Sequence, residues 1–510
     1  MPRLRSSFSL PSLKSLDRSL GRMGQQLAQG LRHAIASGAL RPGERLPSTR
    51  TLSESLGVSR GMIVEAFDQL KAEGYLESLP RAGTAVAREL HRSDVERTGN
   101  DFKITPRPKG RLPASAKRFS AVEQMLRPQA GLPLAIAHPA DAAAPDETWR
   151  RLGNRVRATR AAAPSGYIDP RGVPELREAI ADHVRRARAV RCTPEQVIIT
   201  AGTQQGLFLS AQLLLGRGDA VWIEDPAYPG ISAVLGAMDV RVTHVRVDQN
   251  GMDVEEARDL CPDARAAFVT PSHQYPLGMP MSMGRRLSLL RWAEEADAWI
   301  VEDDYDSELR YAGHPFPSLQ GLDPSRVIYL GTMSKVLFSS MRIGYAIVPD
   351  ALVAAFGGAR AVVDRHSPSA DQHVLAAFMK EGHLEAHIRR IRSAYSERRN
   401  ALMSAIAAYL PDWARLQPSD QGMHLVVWLP KGVNDVKVSS DAREAGIVVR
   451  PISPLYASGK GRAGLMLGFG GFSIAALERA AKDLGQLLRK HAPEVRRSAA
   501  GRSAKAGKAR

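Results

Sequence analysis

The chain has 510 residues, more than one hydrophobic core usually organises, so at least two domains are expected. Its 44% hydrophobic and 24% charged residues are ordinary for a globular protein, and its two cysteines, Cys192 and Cys261, exclude a disulfide framework and fit a reducing cytoplasm. No apolar run reaches the roughly eighteen residues of a membrane span, and the start, "MPRLRSSFSLPSLKSL", lacks the unbroken apolar core of a secretion signal. The net charge of +17 is uneven: residues 1–120 hold 21 Lys/Arg against 11 Asp/Glu, residues 491–510 hold 6 against 1, and the middle is nearly neutral. A basic front end on a neutral body points to polyanion binding by the front end.

In chain order, Met23, Leu27, Leu31 and Ile35 recur every four residues and predict a helix that Gly38 can end. Ser48 or Thr49 can cap a second helix carrying Leu52 and Leu56, and after the turn "LGVS" Ser59 can cap a third with Ile63, Phe67 and Leu70 on its buried side. Two short extended runs around Pro80 and Gly83 complete a winged helix-turn-helix over residues 16–88. From 89 to 129 apolar periodicity lapses while Pro, Lys, Arg and Ser accumulate, which predicts a solvated linker. Beyond it, the strands "QVIIT", "AVWIE", "AAFVT", "WIVED" and "RVIYLG" alternate with helical segments such as "TQQGLFLSAQLLL". That alternation predicts a doubly wound α/β domain with a mainly parallel sheet, followed by a smaller C-terminal α/β portion, over residues 130–490. Residues 491–510 are low-complexity and basic and are expected to be disordered.

The segment "LRPGERLPSTRTLSESLGVSRGMIVEAFDQLKAEGYLESLPRAGTAV" resembles the winged helix of the GntR family, which implies double-stranded DNA as a partner. The physical reading agrees. Ser59, Arg60 and Gly61 open the third helix, and N-terminal residues of a recognition helix meet base edges in the major groove, so Arg60 is the candidate for base readout. Arg50, at the start of the second helix, and Arg81, in the wing, are candidates for phosphate contacts.

Lys335 lies in the apolar stretch "YLGTMSKVLFSSMRIGY". An apolar setting disfavours the ammonium form, and a depressed pKa makes a lysine competent to attack an aldehyde. Pyridoxal 5'-phosphate is the cofactor that uses such a Schiff base. It demands a carboxylate for its ring nitrogen, a donor for its phenolic oxygen, and amides with an arginine for its phosphate. Asp303 and Tyr305 stand at the end of an apolar strand in "IVEDDYDSELRY", where ligands of open α/β sheets gather. Gly202, Thr203 and Gln204 open a helix after another strand and can offer amides to a phosphate. Thr332 and Arg342 can add a hydroxyl and a guanidinium, and Tyr228 in "EDPAYPG" can stack on the ring. The acidic run also suggests a divalent metal, but no histidine or further acid stands beside it at ligand spacing, so no metal is expected.

"VTPSHQYPLGMPMS", "EDDYDSELRY" and "GTMSK" resemble the fold-type-I aminotransferases, and with the GntR-like front the chain resembles the MocR-type regulators over nearly its whole length. The resemblance implies that Lys335 is the aldimine lysine, Asp303 the partner of the pyridine nitrogen and Tyr305 that of the phenolate. It assigns Thr203, Gln204, Thr332 and Arg342 to the phosphate cup. Tyr167, in "SGYIDPRG", matches a tyrosine that reaches the phosphate of the opposite subunit, which implies a homodimer. The chain departs from the enzymes at "YPLG", where Tyr275 replaces an asparagine and Leu277 a threonine. Met466 sits where they carry the arginine for the substrate carboxylate, leaving Arg450 and Arg462 as alternatives, and Gly230 sits where some regulators have an arginine. The expected function is a cytoplasmic, dimeric, PLP-dependent transcriptional regulator that senses an amino compound or PLP itself, with a working aminotransferase as the alternative.

Overall fold

The computed structural model describes residues 21–80, 82–89, 113–125, 131–140, 146–313, 316–457 and 461–491. It divides into two compact units, which part between Arg111 and Leu112. Among the described residues no helix is long and apolar enough to cross a membrane.

The first unit contains α1 (Met23–Ala36), α2 (Thr49–Leu56), α3 (Arg60–Ala72) and the antiparallel strands β1 (Leu76–Leu79) and β2 (Gly83–Val86). The four-residue spacing does what it predicts: Leu27, Leu31 and Ile35 of α1 pack with Leu52, Ile63, Phe67 and Leu70 in one core that Leu76 and Val86 close from the hairpin. Ser48 and Ser59 both act as N-caps, their hydroxyls accepting from the amides of Thr51 and Met62. A bridge from Arg45 to Ala85 adds a third short piece to the ribbon that the sequence pattern did not reveal.

The second unit is built on an eight-stranded sheet of β3 (Val197–Thr200), β4 (Ala220–Asp225), β5 (Arg241–Asp248), β6 (Gly251–Met252), β7 (Ala264–Val269), β8 (Trp299–Asp304), β9 (Val327–Thr332) and β10 (Gly344–Ile347). Its order is β3-β10-β9-β8-β7-β4-β5-β6, with β5, β4, β7, β8 and β9 parallel. Strand β10 runs antiparallel between β3 and β9. All residues of β3, β9 and β10 are buried, which explains why these strands read as continuous apolar runs. A second, antiparallel sheet holds β11 (Arg415–Gln417), β12 (His424–Trp428), β13 (Arg450–Pro451) and β14 (Gly464–Gly468), in the order β11-β12-β14-β13. One apolar cluster runs from Ile199, Tyr329 and Tyr345 of the large sheet to Leu425, Val427 and Leu467 of the small one, so the smaller portion shares a core with the larger.

The stretch read as linker, 89–129, differs in one place. Residues Ala114–Met125 form a helix that packs on the helix Pro229–Ala237 and belongs to the second unit. The physical reason is local: after Pro113 the segment "ASAKRFSAVEQM" contains no further Gly or Pro and is rich in good helix formers. The basic tail lies, beyond His491, outside the described residues.

Candidate functional site

In the first unit, the opening turns of α2 and α3 meet. Arg60, exposed at the first position of α3, donates from Nε to the hydroxyl of Thr49 at 3.4 Å. Arg50 has an 83% exposed side chain, paired with Glu54 at 3.4 Å. Two helix N-termini and two exposed guanidinium groups thus face solvent close together, an arrangement that suits phosphate and base edges. Ser59 takes part as the cap that orders the turn carrying Arg60. Arg81 lies outside the described residues.

In the second unit, a cavity of about 310 Å³ opens at the carboxyl ends of the sheet strands and is lined by Gly202, Thr203, Gln204, Tyr228, Tyr275, Asp303, Tyr305, Thr332, Lys335 and Arg342. Most stand at or just past a strand end: Gly202 follows β3, Tyr228 follows β4, Tyr275 follows β7, Asp303 is the last residue but one of β8, Thr332 closes β9 and Lys335 follows it. This is the crevice in which open α/β sheets place ligands. Burial pushes the Lys335 amine below its usual range, although Asp306 and Asp303 partly offset the effect. Burial, reinforced by Asp304 and Asp306, pushes the Asp303 carboxyl up to about 8.

The fit of pyridoxal 5'-phosphate can be tested on these atoms. Asp303 is a buried carboxyl on the wall of this pocket, so it suits a cationic N–H such as a pyridinium, which would restore its charge. At Gly202, φ is 96° and a Cβ would lie 3.1 Å from Nη2 of Arg342, so glycine lets the helix Thr203–Leu214 present its free amides beside that guanidinium. The Arg342 group is aimed there by a hydrogen bond to the carbonyl of Ala201. Thr332 Oγ1 bonds the Ser334 hydroxyl at 3.0 Å, and both residues line the pocket. The residues present fit the cofactor.

Several residues in or beside the pocket escaped the sequence reading. Asp306 pairs with His273 Nδ1 at 2.9 Å, and the Tyr305 hydroxyl donates to the His273 carbonyl at 3.0 Å, so Tyr305 is positioned by the histidine of "PSHQYP". His424, on β12, has its Nε2 at 2.9 Å from the Pro276 carbonyl. Asp306 and His273 lay inside quoted motifs and were legible there, whereas His424 is brought in by the small sheet and carried no local signal.

Two assignments find other surroundings. Arg462 is not among the pocket-lining residues; its guanidinium lies over the Trp428 ring at 4.1 Å. Tyr167 is also outside the pocket of its own chain, 78% exposed, with the Arg365 guanidinium 4.8 Å from its ring centre. Arg450 does line the pocket, and it is the direct cross-strand partner of the fully buried Met466. Gly230 has a structural reason: a Cβ there would run into Tyr228 and the side-chain oxygen of Gln204.

Residues 134–467 match the aminotransferase class I and II family, and residues 23–86 match the bacterial regulatory proteins of the gntR family. A probable rhizopine catabolism regulatory protein MocR from Rhizobium meliloti is 38% identical over 88% of this chain and 90% of its own. The HTH-type pyridoxine biosynthesis transcriptional regulator PdxR of Corynebacterium glutamicum is 33% identical, covering 87% of this chain and 91% of its own. Among solved structures, the α-aminoadipate aminotransferase LysN of Thermus thermophilus, complexed with N-(5'-phosphopyridoxyl)-L-leucine, matches with a TM-score of 0.68 and 27% identity over 74% of this chain and 97% of its own. The chain belongs to the MocR-type transcriptional regulators, in which a GntR-family winged helix is joined to an aminotransferase class I and II domain that uses pyridoxal 5'-phosphate.

Proposed function

We propose that this regulator binds an amino compound in the Lys335 pocket, that binding changes its affinity for DNA, and that it turns substrates over poorly. Bound pyridoxal 5'-phosphate supplies an aldehyde carbon that an amine can attack and a ring that withdraws electrons. The chain's own residues do the recognising. Burial lowers the pKa of Lys335 and so favours the neutral amine that attachment and exchange require. Asp303 would keep a proton at the ring nitrogen, and Tyr228, Tyr275 and Tyr305 line the pocket that would hold the ring.

The observation that carries the reading is the pairing of Arg450 with Met466. Met466 removes the guanidinium from β14, and Arg450 supplies one from β13, a neighbouring strand about 4.8 Å away. A carboxylate held from there binds but is displaced from the geometry that aligns a bond for cleavage, and a misplacement of about 1 Å already costs roughly a hundredfold in rate. Titrating the holoprotein with amines and following the cofactor's absorption tests this. Amines bearing a carboxylate should bind about tenfold or more tightly than their decarboxylated counterparts, and Arg450→Ala should abolish that preference. Equal affinities for the two classes in the parent protein would count against the clamp.

The proposal includes a homodimer acting in the cytoplasm. The dimer is supported by the exposure of Tyr167 beside Arg365 and of Val362, which is 88% exposed, on a face that suits contact with a second copy. In that dimer Tyr167 reaches the partner's phosphate site. In the first unit, Arg60 reads bases while Arg50 and Arg81 hold phosphates.

A further inference from the structure

A second cavity, of about 10 Å³, shares Asp303 and Tyr228 with the cofactor pocket. Its walls are mostly apolar, from Leu207, Ile231 and Phe268, and its polar lining comes from Glu224, Thr270, Asp303 and Tyr228. Glu224 is the last residue but one of β4, beside β7, and is buried. Its Oε2 is saturated: it accepts from the Thr270 hydroxyl at 2.6 Å, the Thr270 amide at 3.2 Å and the Gln274 amide group at 3.3 Å. Among the described residues its Oε1 has no hydrogen-bond partner, and neither has Oδ1 of Asp303. Two buried carboxyl groups that line one small cavity therefore each keep an oxygen with nothing to bond. A cavity of about 10–15 Å³ holds one water where two or more polar groups line it.

We propose that Glu224 is a positioning residue for Asp303: protonated on Oε1, it donates to a water in this cavity, and the water donates to Asp303 Oδ1, holding the carboxylate charged toward the ring nitrogen. The inference rests on the cofactor assignment and adds to it the group that sets the protonation of its carboxylate. Saturation of Oε2 by three donors leaves Oε1 as the place for the proton. Burial pushes the Glu224 carboxyl up to about 7, so it is neutral over the lower half of the working range. The titratable groups around the pair are Tyr228 at the cavity, Tyr305, and, on the Asp303 side, Asp304, Asp306 and Lys335. Cofactor binding converts Asp303 from a neutral acid to an anion, which raises the proton affinity of the nearby Glu224. Binding therefore favours protonated Glu224, and that contribution is lost as pH rises above about 7.

Two variants and a crystal structure test the proposal. In Glu224→Gln the amide oxygen replaces Oε2 and the amide nitrogen keeps a donor aimed at the cavity, without ionising. In Glu224→Leu the donor is lost. Below pH 7, Glu224→Leu should bind pyridoxal 5'-phosphate about tenfold more weakly than wild type, and Glu224→Gln should rescue that loss. Above pH 7 the affinity of wild type relative to Glu224→Gln should fall severalfold; Lys335 and the cofactor phosphate titrate in both proteins and cancel in the ratio. A ratio independent of pH, or equal binding by the Leu and Gln variants, overturns the proposal. The cofactor-free wild-type crystal structure decides the water independently, with density within hydrogen-bond distance of both Glu224 Oε1 and Asp303 Oδ1 expected and an empty cavity contradicting it. Failure of the cofactor assignment would look different, because wild type itself would then bind no pyridoxal 5'-phosphate at any pH.

Discussion

Asp303 shows how one buried carboxyl ties stability to ligand. Its folded-state pKa lies far above the unfolded value, about 8 against 3.8, so the folded apoprotein keeps a proton that the unfolded chain releases. Apoprotein stability should accordingly fall as pH rises from about 4 through about 8, and Asp303→Asn should flatten that part of the profile. Thermal melts of the apoprotein across this range check the sign; rising stability would contradict it. Adding the cofactor should remove most of the slope, because a pyridinium opposite Asp303 favours the charged form. Gly230 makes a second prediction at this scale. Gly230→Arg should displace Tyr228 and Gln204, a disturbance of about 1–3 kcal/mol, and weaken cofactor binding by roughly tenfold or more in equilibrium dialysis. Unchanged affinity would mean that those two side chains move aside freely.

Among the elements, α3 carries the function of its unit through its first turn. Ser59→Ala removes the cap at about 1 kcal/mol, and Arg60→Ala should cost roughly 1–3 kcal/mol of specific DNA binding and relax specificity at one base pair. Arg50→Ala should instead weaken all sequences alike and reduce the salt slope. Binding isotherms on specific and scrambled duplexes at two salt concentrations separate the two outcomes. Identical behaviour of the Arg50 and Arg60 variants would contradict this division. The elements were legible where a periodic apolar face or a buried run coincided with a cap: Leu27, Leu31 and Ile35 marked α1, and "VIIT" and "VIYLGT" marked β3 and β9. Legibility failed where position depends on partners distant in sequence. The antiparallel insertion of β10 between β3 and β9 is one case, and the helix Ala114–Met125, whose basic composition resembles a linker, is another. The site followed the same rule. Lys335, Asp303 and Gly202 lie at strand ends and in motifs, whereas Glu224 and His424 matter through cross-strand neighbours that spacing along the chain does not disclose.

At the scale of the whole molecule, a basic winged helix and a cofactor pocket occur in one chain, and the account requires that they communicate. A ligand shifts an equilibrium only as far as it binds two states differently, so an amine that changes DNA affinity must bind the DNA-free and DNA-bound forms unequally, and DNA must change amine affinity by the same factor. The direct measurement is the affinity of cofactor-loaded protein for a duplex it selects from a random pool, with and without a panel of amines, alongside steady-state turnover of those amines with keto acids. The account predicts that at least one amine changes DNA affinity by about fivefold or more, that Lys335→Ala abolishes the change, and that turnover stays far below about 1 per second. Turnover at or above that rate, with DNA affinity indifferent to every amine that is turned over, would contradict it and make the second unit a working aminotransferase.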